Sequence, residues 1–238
     1  MAAVAPSSSI DPRLVLQVAG DAFRDRVVQM GERESGAYGF YKNRLERGEC
    51  LPAREWALVD SIRNLYGSGH ALFLEIGAGV GFLSMALAAT GFHAIAVEAD
   101  PRRFQAAEYL RGILVKSWPE LDRRLLNELV RFGESSPQCD VFDDISANSV
   151  TTVGVCTNLV SGWARQNYSH LVREMLKFDQ FIIDVLTFGE KRDRQQKDEV
   201  LAMFPTVRTE LFLDSMASTG GTSGMYYRFT VKAKLHGA

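Results

Sequence analysis

Three observations in this sequence predict a doubly wound α/β sheet of seven mostly parallel strands, the last one antiparallel, behind a helical N-terminal extension. The first is a strand–turn–helix–strand unit. Leu72, Phe73, Leu74 and Ile76 form a short apolar run, and Gly77-Ala78-Gly79-Val80-Gly81 follows as a glycine turn. Phe82 to Leu87 then reads as a helix, and Ala94 to Val97 as a second strand with Glu98 at its carboxyl end. The second observation is the alternation of strand and helix signals that continues from there. The third is a pair of final strands joined only by the Ser/Thr/Gly-rich stretch 215–224. A loop of about a dozen residues suits an antiparallel return, because a parallel crossover needs a packed helix.

Taken in order, residues 1–10 are small, polar and without periodicity, and are expected to be disordered. Asp11-Pro12 starts a helix with proline at its first position, and Leu14, Val15, Val18, Phe23, Val27 and Val28 form its apolar stripe. Gly36 to Tyr41 reads as a break holding three aromatics. Arg54 to Tyr66 returns to helical spacing and stops at Gly67. Residues 11–69 are thus read as the extension and 70–238 as the sheet domain. Asp100-Pro101 begins a helix running to about Val115, with Asp100 as its cap, and Trp118-Pro119 interrupts it. Further strands are expected at Leu129–Phe132, Val150–Cys156, Phe181–Leu186, Val207–Leu213 and Tyr226–Val231, with helices over 163–176 and 191–203.

The glycine turn limits what it can bind. A dinucleotide fingerprint, Gly-x-Gly-x-x-Gly, would place its third glycine at 82, where this chain has Phe82; its third glycine is Gly81. Pyrophosphate loops aim backbone N–H groups at an anion, whereas Glu75 just before the turn would repel one. A ligand with an ammonium group, a ribose diol and no phosphate fits better, and S-adenosyl-L-methionine has these features. At this point the chain resembles the class I, Rossmann-like S-adenosylmethionine-dependent methyltransferases, whose first motif is an acid, a hydrophobic residue and Gly-x-Gly-x-Gly. The phrase Val97-Glu98-Ala99-Asp100-Pro101 is mildly similar to the FkbM-type O-methyltransferases, while Asp184-Val185-Leu186-Thr187-Phe188-Gly189 echoes that group only loosely.

The resemblance implies that Glu75, Ile76, Gly77, Ala78, Gly79 and Gly81 hold the methionine end. It implies that Glu98 takes the ribose hydroxyls and that Ala99 packs on the adenine. It places Glu134 near the adenine amino group, and Thr157 and Asn158 on the side of the methyl acceptor, with Ser161 and Trp163 able to line it. It also implies that the extension, with Tyr38, Phe40 and Tyr41, closes over the site; the alternative is that these aromatics form a hydrophobic patch docking the extension to the core. The acceptor is expected to be a small molecule, with oxygen the preferred atom. The chain has neither Asn/Asp-Pro-Pro-Tyr nor Pro-Cys at the fourth strand, so amino and carbon methylation of nucleobases lack support. No catalytic base is assigned: an in-line methyl displacement depends mainly on positioning. The other readings are a methyltransferase-like protein serving as a partner subunit, and a nucleotide-binding oxidoreductase, which the glycine spacing disfavours.

Composition narrows the partners. A net charge of −2 and a pI near 6.1 argue against nucleic-acid binding. No apolar run approaches the ~20 residues of a membrane span, and the start lacks a secretory pattern, so a cytoplasmic protein is expected. Cys50, Cys139 and Cys156 have no Cys-x-x-Cys spacing, which indicates no zinc site and no disulfide framework. His70, His93 and His236 are placed away from the cofactor edge, and His170 lies well into its expected helix.

Overall fold

The computed structural model describes residues 10–29, 38–67, 71–129, 151–157, 178–186, 208–215 and 224–230. Helix α1 (Pro12–Gln29) starts where the sequence places it. The Asp11 carboxylate accepts a hydrogen bond from the Arg13 amide at 2.9 Å, satisfying one of the orphan donors of the first turn. Its inner face is Val15, Leu16, Ala19 and Phe23, all 2% exposed or less. Ile10 is buried too, and its amide donates to the Ala89 carbonyl, so residue 10 does not belong to the expected disordered stretch.

Gly39–Glu46 is helix α2, where the sequence reading had a break over 36–41. Glycine at its first position hid the helix. One turn of helix places Tyr38 and Tyr41 on the same side, and both meet Phe23 edge-on, at 5.3 and 5.8 Å between ring centroids. Helix α3 (Ala53–Tyr66) buries Leu58, Val59 and Ile62 and ends at Gly67, whose φ of 64° lies in the left-handed region.

The sheet has strands β1 (Ala71–Ile76), β2 (His93–Glu98), β3 (Leu125–Leu129), β4 (Thr151–Cys156), β5 (Gln180–Leu186), β6 (Arg208–Ser215) and β7 (Gly224–Thr230). Their order is β3-β2-β1-β4-β5-β7-β6. The first five pair in parallel. β7 lies antiparallel between β5 and β6. Five of the six residues of β1 and of β2 are buried, as expected for parallel strands covered on both faces. Helix α4 (Phe82–Ala89) links them and has all eight residues buried, with α1 packed across it. Helix α5 (Pro101–Ser117) is capped by the Asp100 carboxylate, which accepts from the Arg102 amide.

The third strand lies upstream of its expected place and shares only Leu129 with it. Leu125 is fully buried, Leu126 is 44% exposed and the next three residues are half-buried, so much of the strand meets solvent. Asn127 and Glu128 break up its apolar signal, as suits an edge strand. The expected helices over 163–176 and 191–203 lie outside the described residues, as do Glu134, Asn158, Ser161, Trp163 and three of the four histidines. His93 is exposed at the start of β2, with Nδ1 3.0 Å from the Arg123 carbonyl oxygen.

Candidate functional site

β1 is flanked by β2 on one side and β4 on the other, so the chain switches direction across the sheet at this strand. Ligands of doubly wound sheets bind beyond the carboxyl ends of the strands at such a point. Glu75 near the end of β1, Glu98 at the end of β2 and Thr157 just after β4 are brought to that edge.

The glycine loop folds back over β2. The amides of Gly77 and Ala78 both donate to the Val97 carbonyl at 2.9 Å, and the Gly81 amide donates to the Ala78 carbonyl at 2.9 Å. Gly77, Gly79 and Gly81 have φ of 70°, 63° and 81°, a region costly for residues with a Cβ. Two of these glycines serve different ends. A Cβ at Gly81 would find ordinary space beside Ala96, so glycine is there for the backbone angle. A Cβ at Gly79 would in addition collide with the Tyr41 hydroxyl, which lies directly on the loop. At position 82, where a dinucleotide loop needs glycine, the Phe82 ring packs edge-on against Phe23 and Tyr41.

The two acids differ in their partners. Glu98 is buried, and its Oε2 accepts from the Gly79 amide at 2.6 Å. Its Oε1 accepts from the amides of Ala99 and Asp100, at 2.9 and 2.8 Å. The carboxylate thereby ties the glycine loop to the turn that leaves β2. Glu75 is also buried, and its Oε2 accepts from both the amide and the hydroxyl of Ser84, at 3.0 and 2.7 Å. Burial pushes the Glu75 carboxyl up to about 8; the Ser84 hydrogen bonds oppose that rise, and Glu55 and Glu98 add to it. At neutral pH this side chain is therefore mostly a neutral acid.

A cavity of about 310 Å³ opens beside these groups. Its floor is Glu75 with Gly77, Ala78 and Gly79 of the loop. The facing wall comes from the N-terminal helices and the segment joining them: Tyr41, Arg44, Cys50, Leu51 and Glu55. Arg103 of α5 and Thr157 complete it. Tyr41 Oη accepts from the Val80 amide at 3.3 Å. Burial pushes its hydroxyl up to about 12, against the pull of Arg103 and the Val80 amide, so it keeps its proton. Arg44 Nη2 donates to the Cys50 carbonyl at 2.7 Å and lies 3.9 Å from Glu55 Oε2, while Arg54 approaches Glu55 Oε1 at 3.8 Å.

The structure thus brings Glu75, Ile76, Gly77, Ala78, Gly79, Gly81, Glu98 and Ala99 to one edge. Of the three aromatics grouped by the sequence reading, Tyr41 lies on the loop, whereas Tyr38 turns away to donate to the Arg102 carbonyl at 2.7 Å. Arg44, Glu55, Ser84 and Arg103 were not assigned from sequence. Glu55 was within reach: with Leu58, Val59 and Ile62 it completes the i, i+3, i+4, i+7 stripe, and a carboxylate at a core position is a signal of its own. Among the described residues no group of three or more His, Cys, Asp or Glu could hold a metal ion, and no helix is long and apolar enough to cross a membrane.

No family model matches the chain, and no curated protein sequence matches it. Solved structures do. A putative O-methyltransferase from Klebsiella pneumoniae is 15% identical at a TM-score of 0.51, over 96% of this chain and 92% of that one. The METTL16 MTase domain is 15% identical at 0.53, over 93% and 81%. A human methyltransferase 10 domain containing protein is 15% identical at 0.51, over 76% and 84%. Identities this low establish the fold alone. That fold, a mostly parallel sheet with helices and a glycine loop at its switch point, is the one this chain shares with these methyltransferase structures.

Proposed function

We propose that the protein transfers the methyl group of S-adenosyl-L-methionine to a small-molecule acceptor, at an oxygen atom, and that it does so as a cytoplasmic enzyme with residues 70–238 as the cofactor domain. The observation that carries this reading is the pair of buried acids on either side of the glycine loop. Two carboxyl groups at the loop suit a cation and a diol, and an anionic pyrophosphate would gain nothing from either. Glu98 is fixed by three backbone amides; two carboxylate oxygens offer about four acceptor sites, so it can hold the loop and still accept from a ribose hydroxyl. Glu75 pairs with the ammonium of the methionine end in this reading. The seven-strand order, with β7 reversed between β5 and β6, supports the same reading.

When bound, the cofactor supplies a sulfonium-activated methyl group. The protein's own part is to hold, orient and exclude water: Tyr41 and Phe82 cover the loop, and Thr157 stands at the β4 edge where an acceptor would enter. Glu134 and Asn158 are assigned to the adenine and the acceptor side on the strength of the resemblance alone. A net charge of −2 supports a small acceptor over a nucleic acid.

Calorimetric titration with S-adenosylhomocysteine and with NAD tests the cofactor. Binding of the first and not the second is expected; tighter binding of NAD would refute the reading. Binding without turnover across hydroxylated small molecules would favour the partner-subunit alternative.

A further inference from the structure

A second cavity, of about 550 Å³, lies among the N-terminal helices and shares only Cys50 and Leu51 with the cavity beside the glycine loop. Its volume is that of a small-molecule site. One wall is a single face of α1, where Arg13, Leu16, Gln17, Gly20, Asp21 and Arg24 recur at helical spacing. The other wall is the segment 48–51 and the start of α3, with Trp56. Gly20 stands in the interior of α1, where glycine weakens a helix. A Cβ there would collide with the Cys50 sulfur, whose thiol donates to the Leu16 carbonyl at 3.0 Å. Glycine thus lets the segment close on α1 and seal a floor of Leu16, Cys50 and Leu51, all buried.

Charge then sorts the rim. Asp21 pairs with Arg24 at 3.1 Å, and Glu49 with Arg47 at 3.6 Å. Arg13 makes no ion pair among the described residues; its guanidinium lies over the Trp56 ring, 4.6 Å from the centroid. Stacking uses the face of a guanidinium and leaves the N–H donors at its edge for an acceptor. Gln17, one turn further along the same wall, adds an amide.

We propose that this cavity is a second binding site, for a small organic acid with an apolar body. The carboxylate meets Arg13 and Gln17, and the body lies on the floor of Leu16, Cys50 and Leu51. The site is separate from the glycine loop and does not depend on the cofactor reading.

Titrating 3-phenylpropionate into the full-length, ¹⁵N-labelled protein tests it, with 3-phenylpropanamide as the neutral counterpart. The acid is expected to shift the Trp56 indole N–H and the Gly20 and Gly48 amides saturably, with a dissociation constant of about 1 mM or tighter. The amides of Gly77 and Gly79 should stay in place. The neutral counterpart, and the acid with Arg13→Gln, should each bind about fivefold more weakly, the upper end for an exposed ion pair. No saturable shift, or shifts centred on Gly77 and Gly79, would overturn the inference. So would unchanged affinity in an Arg13→Gln variant that melts like the wild type. If that variant melts lower, the two probes on the wild type decide: equal affinities overturn the site, and preference for the acid supports it.

Discussion

Glu75 and Glu98 stand at the carboxyl ends of adjacent parallel strands, are both buried, and are put to opposite uses. Glu98 spreads three backbone amides over its two oxygens and so fixes the glycine loop against β2. Glu75 receives both donors of Ser84 on a single oxygen, and its burial holds it neutral up to about pH 8. The difference shows how one sheet edge can meet a ligand with two kinds of contact. One acid is a preset acceptor for neutral hydroxyls, and the other gains its charge only when a cation arrives.

The largest expected effect breaks the setting of both acids. Deleting residues 1–45 removes Val15, Leu16 and Phe23, whose burial is worth about 1.5–3 kcal/mol each. Their sum rivals the roughly 5–15 kcal/mol of stability typical of a domain. It would also bare α4, which α1 covers. The 46–238 fragment is therefore expected to be insoluble, and a soluble fragment with a cooperative melt would refute the packing role of α1. Deleting 1–9, which spares Ile10, should leave the melting temperature unchanged.

Gly79→Val comes next. The new side chain meets a positive φ and the Tyr41 hydroxyl together, so thermal stability and cofactor binding should fall in the same variant. A variant with wild-type melting and no binding would mean that the collision with Tyr41 is easily relieved. Glu98→Ala should weaken S-adenosylhomocysteine about tenfold to a hundredfold, from roughly 1.5–3 kcal/mol of charge-assisted bonding. It should also lower the melting temperature, because the Gly79, Ala99 and Asp100 amides lose their acceptor. Unchanged affinity would remove Glu98 from the site.

Glu75→Gln is the subtlest. With its folded pKa raised from 4.5 to about 8, Glu75 stays protonated in the folded state while the unfolded chain ionises. Its stabilising share is therefore complete below pH 4.5 and shrinks as pH rises toward 8. Melting curves of the wild type should drop relative to Glu75→Gln across that window and run parallel outside it. Parallel curves throughout would mean that Glu75 is not held neutral.

The loop was legible in the sequence because its constraints are local: alternate glycines between two apolar strands, with acids at fixed offsets. Most of the opposite wall was not, because Arg44, Glu55 and Arg103 come from three helices that meet only through tertiary packing. Helix α2 was hidden by the glycine at its start and by a low share of apolar residues; Phe23, sixteen residues upstream, is what orders Tyr38 and Tyr41. β3 was misplaced for a related reason, since an edge strand with a wet face reads as polar. The lid role given to three aromatics reduces in the described residues to Tyr41, whose hydroxyl touches the loop, while Tyr38 serves α5.

The central claim is that an ammonium-bearing ligand meets Glu75 at this loop. Titrating S-adenosylhomocysteine into the protein at pH 7, in two buffers of different ionisation heat, tests it most directly. The wild type should release about one proton on binding, as a neutral acid becomes a paired carboxylate, and Glu75→Gln should release none. Binding with no difference between the buffers, or equal proton release in both proteins, would contradict the account.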